Sequence, residues 1–133
     1  MIRIETIQNR AQLGDFVRFP LRIYTGDSPW VPPVWREEMM RLDRARGPFF
    51  KHSEAALFLA RDTAGDPVGR IAAIRFNRHL EVYGDGVGFF GFFECVDDES
   101  VAGRLFAGAA EWLRGQGLKR MRGPTSFTIN EEI

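Results

Sequence analysis

A single cysteine, Cys95, among 133 residues leaves no internal disulfide, and its place inside an apolar strand pattern is that of a buried thiol in a reducing compartment. Apolar runs are short. Nowhere do about eighteen apolar residues follow one another, and the first twenty residues carry Arg3, Glu5, Arg10 and Asp15, so neither a signal peptide nor a membrane anchor is expected. An excess of either charge is also missing. Lys plus Arg and Asp plus Glu both total 18, so no net field draws the chain to nucleic acid or to a membrane surface. The expected setting is cytoplasmic. Tyrosine is scarce, with 2 against 12 phenylalanines, which predicts a core with few polar handles. Repeats and low-complexity tracts are absent.

What remains is an ordinary globular composition, 44% apolar. At this length the chain is expected to form one domain, residues 1–133, burying about two thirds of its unfolded surface.

Ile2, Ile4 and Ile7 around Arg3 and Glu5 give a short strand, and Asn9 is placed to cap a helix. Leu13, Phe16, Val17, Pro20, Ile23 and Tyr24 recur at helical spacing, with Pro20 breaking the helix into two pieces. Pro32 and Pro33 open a further helix through Leu42, and Phe49 and Phe50 lead back onto the core. Ala55 to Arg61 and Val68 to Phe76 read as an antiparallel pair around a turn at Thr63 to Asp66, and Asn77 to Gly86 reads as a polar loop.

Val87 to Val96 then holds phenylalanines at both parities, Phe89 and Phe93 on one face and Phe90 and Phe92 on the other, as expected for a central strand covered on both sides. Asp97, Asp98, Glu99 and Ser100 supply capping oxygens to a helix whose inner face is Val101, Leu105, Ala109, Trp112 and Leu113. A last strand, Leu118 to Arg122, should lie parallel to the phenylalanine-rich one through a right-handed crossover. Its outer edge has little chain left to cover it, so a continuation of the chain or a second subunit is expected there.

This order of elements resembles the GNAT acyltransferase fold, an α/β (mixed α+β) sheet. Local wording adds to it: Phe19-Pro20 with Tyr24, Trp30-Val31-Pro32, Asn77 with His79, the run Gly88 to Glu94, and Gly123-Pro124 before Asn130-Glu131 are similar to a GNAT-like group of bacterial proteins. Members of that group are usually longer, so the resemblance implies the N-terminal, cofactor half of the fold. It further implies acyl-CoA, with acetyl-CoA as the simplest case, lying against the central strand with its pyrophosphate at the start of the crossover helix. Cys95, Val96, Ala102 and Gly103 are the cofactor-contacting residues so implied. The family's glycine-bearing loop is shortened here to Asp97–Gly103, with three acids where a pyrophosphate would sit.

Glu94 is the candidate catalytic residue, a carboxylate at the C-terminal end of an apolar strand, where desolvation would favour taking a proton from an ammonium. The structural alternative is a paired carboxylate. A small-molecule or peptide amine is the implied acceptor, and a homo-oligomer would cover the last strand's edge. His52, His79 and Cys95 match no metal-ligand spacing, so no metal is expected. Arg36, Arg41, Arg44, Arg46 and Lys51 alternate with acids as a solvated helix face does. Two alternatives to an enzyme stay open, a non-catalytic binding or assembly module and a fragment without activity of its own.

Overall fold

The computed structural model describes residues 2–21, 39, 40, 42, 43, 50 and 53–125. Strand β1 (Arg3–Thr6) leads into helix α1 (Arg10–Arg18) through a reciprocal cap. Asn9 Oδ1 accepts from the Gln12 amide at 2.8 Å, and Gln12 Oε1 accepts from the Asn9 amide at 3.2 Å. Such a cap contributes about 1 kcal/mol and fixes where the helix starts. Leu13, Phe16 and Val17 form its buried face. The helix ends at Arg18, and Pro20 and Leu21 open a separate helical turn, as expected of a residue without an amide proton. The rest of that second piece and most of the Pro32–Leu42 helix lie outside the described residues.

Five strands form one sheet in the order β1-β2-β3-β4-β5. Strands β2 (Ser53–Arg61) and β3 (Pro67–Phe76) are the expected hairpin, closed by the Asp62 carboxylate, which accepts from the Ala64 and Asp66 amides at 3.0 Å. Strand β4 (Val87–Cys95) pairs antiparallel with β3 and parallel with β5 (Arg120–Thr125). The phenylalanine-rich strand is therefore interior, fourth of five, with neighbours on both sides. Arg61 ties three elements together at one end, donating to Glu5 at 3.0 Å, to Asp15 at 2.8 Å and to the Gly65 carbonyl at 3.0 Å.

Each sheet face carries its own core. Under α1 lie Leu57, Leu59, Ala72, Ile74 and Phe89, with Phe16 and Phe19 above them. On the opposite face, helix α3 (Glu99–Gly115) seats Val101, Leu105, Ala109 and Leu113 on Phe58, Ala60, Ile71 and Ala73. A fully buried Val or Leu contributes about 1.5–3 kcal/mol, so this stripe accounts for much of the crossover's stability. Close approach of helix and sheet depends on glycine. A Cβ on Gly69 would lie 2.6 Å from Leu105 Cδ1, and one on Gly88 2.6 Å from Leu113 Cδ2.

Two expectations are corrected. Asn77 to Gly86 is not a plain loop, because Asn77–Tyr83 forms helix α2, closed by Gly84 in the left-handed region. Its polarity misled the reading: the helix buries no residue fully, and its inward groups are the half-buried Leu80 and His79. The phenylalanine faces also differ. Phe89 and Phe92 share the α1 side, while Phe90 and Phe93 pack on the α3 side against Phe106. One extra residue in the strand shifts the alternation partway along.

Two glycines give a paired stability test. At Gly123 an added Cβ would collide with the Phe90 carbonyl oxygen and lie 2.8 Å from Phe90 Cδ1, whereas at Gly103, inside α3, it meets nothing within 4 Å. Gly123→Ala should lower unfolding free energy by about 1–3 kcal/mol, as overpacking does. Gly103→Ala should raise it by about 0.5–1 kcal/mol through the loss of glycine's backbone entropy. Urea denaturation of both variants checks the opposite signs.

Candidate active site

The extra residue lies where β4 meets Arg70. Ala72 and Arg70 are two apart on β3, yet they face Gly91 and Glu94, three apart on β4. Phe92 occupies the bulge at φ 53, a left-handed conformation that bulges normally reserve for glycine. The last β4–β5 pair among the described residues is Gly91 with Thr125, where the described part of β5 ends, while β4 continues to Cys95. Among the described residues, Phe92 to Cys95 thus have β3 on one side and no strand on the other.

Arg70 sits against Phe92 at 9% exposure, one of two buried polar residues among those described. Its Nη1 donates to the Phe16 carbonyl at 2.9 Å, near the end of α1, and its guanidinium carbon lies 5.0 Å from the Phe16 ring and 5.5 Å from the Phe92 ring. Opposite residues in an antiparallel ladder share a face, so Glu94, register partner of Arg70, is half-buried beside it on the α1 side. Sequence reading missed Arg70. The signal was its parity, which it shares with the inward Ala72 and Ile74.

On the other face, Phe93, Cys95, Val96, Asp97, Asp98, Glu99 and Ala102 line a depression of about 640 Å³ at the start of α3. The implied cofactor residues Cys95, Val96 and Ala102 therefore come together, with Gly103 next along the helix facing open space. Glu94 stands at the same end of β4 but on the opposite face. The loop's hydrogen bonds favour its capping role. Asp98 Oδ1 accepts from the Ser100 amide at 2.8 Å, and the Asp98 carbonyl accepts from the Ala102 amide at 3.1 Å. The Val96 amide, expected near a thioester carbonyl, donates instead to Val68 O at 3.0 Å in the ladder.

Burial pushes the Cys95 thiol above its ordinary range, and the charges of Asp98 and Asp97 push it further. A thiol so placed is a poor nucleophile.

Other candidates fall away from this end. Tyr83 closes α2, 68% exposed, stacked on His79 at 4.7 Å and at the start of β4. At about 3.3 Å per residue, the strand separates it from Glu94 by roughly 20 Å. His79 Nε2 contacts Asp85 at 2.9 Å with 17% of its side chain exposed, so it is a buttress of the α2–β4 connection. His52, Tyr24, Trp30, Trp35, Arg36, Arg41, Arg44, Arg46 and Lys51 lie outside the described residues. Among the described residues no three His, Cys, Asp or Glu side chains cluster as metal ligands, and no helix is long and apolar enough to cross a membrane.

Solved structures share this architecture. AAC(6')-Iy in complex with the bisubstrate analogue CoA-S-monomethyl-acetylneamine aligns over 95% of this chain and 80% of its own, with TM-score 0.62 at 19% identity. A predicted acetyltransferase with acetyl-CoA from Clostridium acetobutylicum aligns over 95% and 82%, with TM-score 0.61 at 8% identity. An acetyltransferase of the GNAT family from Staphylococcus aureus aligns over 98% and 78%, with TM-score 0.59. The fold is that of the GNAT acetyltransferases. No family model matches the sequence. By sequence the chain is 36% identical over 129 residues to Protein YghO of Escherichia coli and 36% identical over 128 residues to the bacterial ceramide synthase of Caulobacter vibrioides. Those alignments take in 97% and 96% of this chain but 33% of each relative, so it spans about a third of their length.

Cys95 offers a direct probe of the acidic loop. Its alkylation by iodoacetamide at pH 8 should be slower than that of free cysteine, because less thiolate is present. Asp98→Asn keeps a capping side chain while removing charge, so it should speed alkylation by lowering the thiol's pKa. An unchanged rate in a folded variant would contradict the electrostatic assignment.

Proposed function

We propose that the chain carries the acyl-CoA site of an N-acyltransferase, with Glu94 as the group that deprotonates the acceptor amine. The observation that carries this reading is the bulged end of β4, where a half-buried carboxylate, Glu94, stands at the same strand end as the depression at the start of α3. The GNAT fold and the CoA-analogue and acetyl-CoA complexes among its structural neighbours support acyl-CoA as the donor.

Chemically the step needs little. The amine nitrogen, once its proton has passed to Glu94 directly or through water, attacks the thioester carbonyl carbon. A C–N bond forms, the C–S bond breaks, and the thiolate of CoA leaves to take up a proton. Cys95, Val96 and Ala102 would supply the wall against which the cofactor lies, with Gly103 next along the helix. Asp97, Asp98 and Glu99 weaken the pyrophosphate end, since charges about 4 Å apart repel by roughly 1–4 kcal/mol at aqueous to near-surface dielectric. Donor binding therefore rests on the pantetheine and acyl portions more than on phosphate contacts.

The acceptor is an amine. Ceramide is a fatty amide, so the 36% identity to a ceramide synthase favours an amine carrying a long alkyl chain over a peptide amine.

Calorimetric titration with acetyl-CoA, a long-chain acyl-CoA and CoA tests the reading, and absence of heat with all three at millimolar concentration would sink it. Where transfer to a long-chain amine is seen, Glu94→Gln should lower kcat by about 10²–10⁴ while donor affinity changes little, as loss of a general base does. A second reading rests on the outer edge of β5, which pairs with no strand among the described residues. It makes the chain an assembly module, homo-oligomeric through that edge, and a strictly monomeric species by light scattering would count against it.

A further inference from the structure

We infer that Arg70 is a positioning residue for the proposed acyl-CoA site, holding Phe92 in its left-handed conformation and thereby setting the faces that Glu94 and Cys95 take at the end of β4. The inference rests on that reading for its functional consequence, but its structural part stands on geometry alone.

Phenylalanine at φ 53 persists only where its surroundings over-determine it. Here Arg70 and Phe16 supply the surroundings. The Phe16 and Phe92 ring centroids are 6.2 Å apart, and the guanidinium closes a triangle with them at 5.0 and 5.5 Å. The guanidinium cannot drift, because Nη1 is fixed on the Phe16 carbonyl at 2.9 Å. Arg70 is also the residue directly before the bulge on β3, with Glu94 as its register partner immediately after it on β4. One side chain thus touches the end of α1 and the displaced residue, and stands beside the candidate base.

An apolar side chain would fill the same space without the desolvation a buried guanidinium suffers. It would leave the Phe16 carbonyl without this donor and would not hold the ring of Phe92 by charge. Lysine would keep the charge but lose the planar fork that bonds a carbonyl and lies against rings together.

The experiment uses the full 133-residue chain, isotopically labelled, with backbone dihedrals taken from NMR chemical shifts. In Arg70→Met the fold should persist by far-UV circular dichroism while Phe92 leaves the left-handed region, and Arg70→Lys should not restore it. Acyl-CoA affinity should fall by about tenfold or more in Arg70→Met. It should hold in Ile74→Val, a core change that lowers stability without touching the bulge. Phe92 remaining left-handed in a folded Arg70→Met would overturn the inference. If Arg70→Met fails to fold, the wild-type guanidinium decides: slowed rotation with nuclear Overhauser contacts to the Phe92 ring supports the inference, and free rotation without such contacts overturns it. Failure of the wild-type chain to bind any acyl-CoA would remove the acyltransferase reading while leaving the dihedral result to judge Arg70 separately.

Discussion

The guanidinium of Arg70, buried between α1 and the sheet, is the contact on which the geometry of this molecule turns. It joins the last turn of a helix to the one displaced residue of the neighbouring strand. Without the displacement β4 would keep its alternation, and Phe92 would face α3 instead of Phe16. The strand's last four residues owe their orientation to that shift. So does Glu94, which faces α1 beside a cation while Cys95 faces the depression at the start of α3.

This placement splits the proposed chemistry between the two faces of one strand end. A donor seated in the depression lined by Phe93, Cys95, Val96 and Ala102 would lie on the α3 face, while an acceptor amine approaching Glu94 would come from the α1 face. The acidic cap opposes the first part of this arrangement. Asp98 already serves the Ser100 amide, one of the helix-start donors a pyrophosphate would use, and its charge raises the neighbouring thiol. Phe93, Val96 and Ala102 offer apolar contact in that depression, while the three acids disfavour an anion there.

Much of the fold was legible in the residues. Asn9, Pro20, Asp98 and the spacing of Val101, Leu105, Ala109 and Leu113 act locally, within a turn or two of helix, so their effects could be read without knowing what they pack against. The pairing of β2 with β3 and the crossover to β5 followed from the same local signals. Helix α2 was not legible, because its inward groups are few and one is a histidine held by Asp85. The bulge was equally hidden: nothing in Gly-Phe-Phe-Glu says which residue is extra, since Arg70, whose guanidinium lies against Phe92, is more than twenty positions away and meets it only across the β3–β4 register. Glu94 and the proposed cofactor residues were singled out from strand position and resemblance, whereas Arg70 was missed for want of a parity check on β3.

Amide hydrogen exchange along β4 tests the central claim most directly, because it reads the end of the strand residue by residue. A bound acyl-CoA should slow exchange at one or more amides from Phe92 to Cys95 by about tenfold or more, leaving the β2–β3 ladder at Leu57 and Ile71 unchanged. Unchanged exchange across Phe92 to Cys95 at saturating acyl-CoA would contradict a donor site at that strand end.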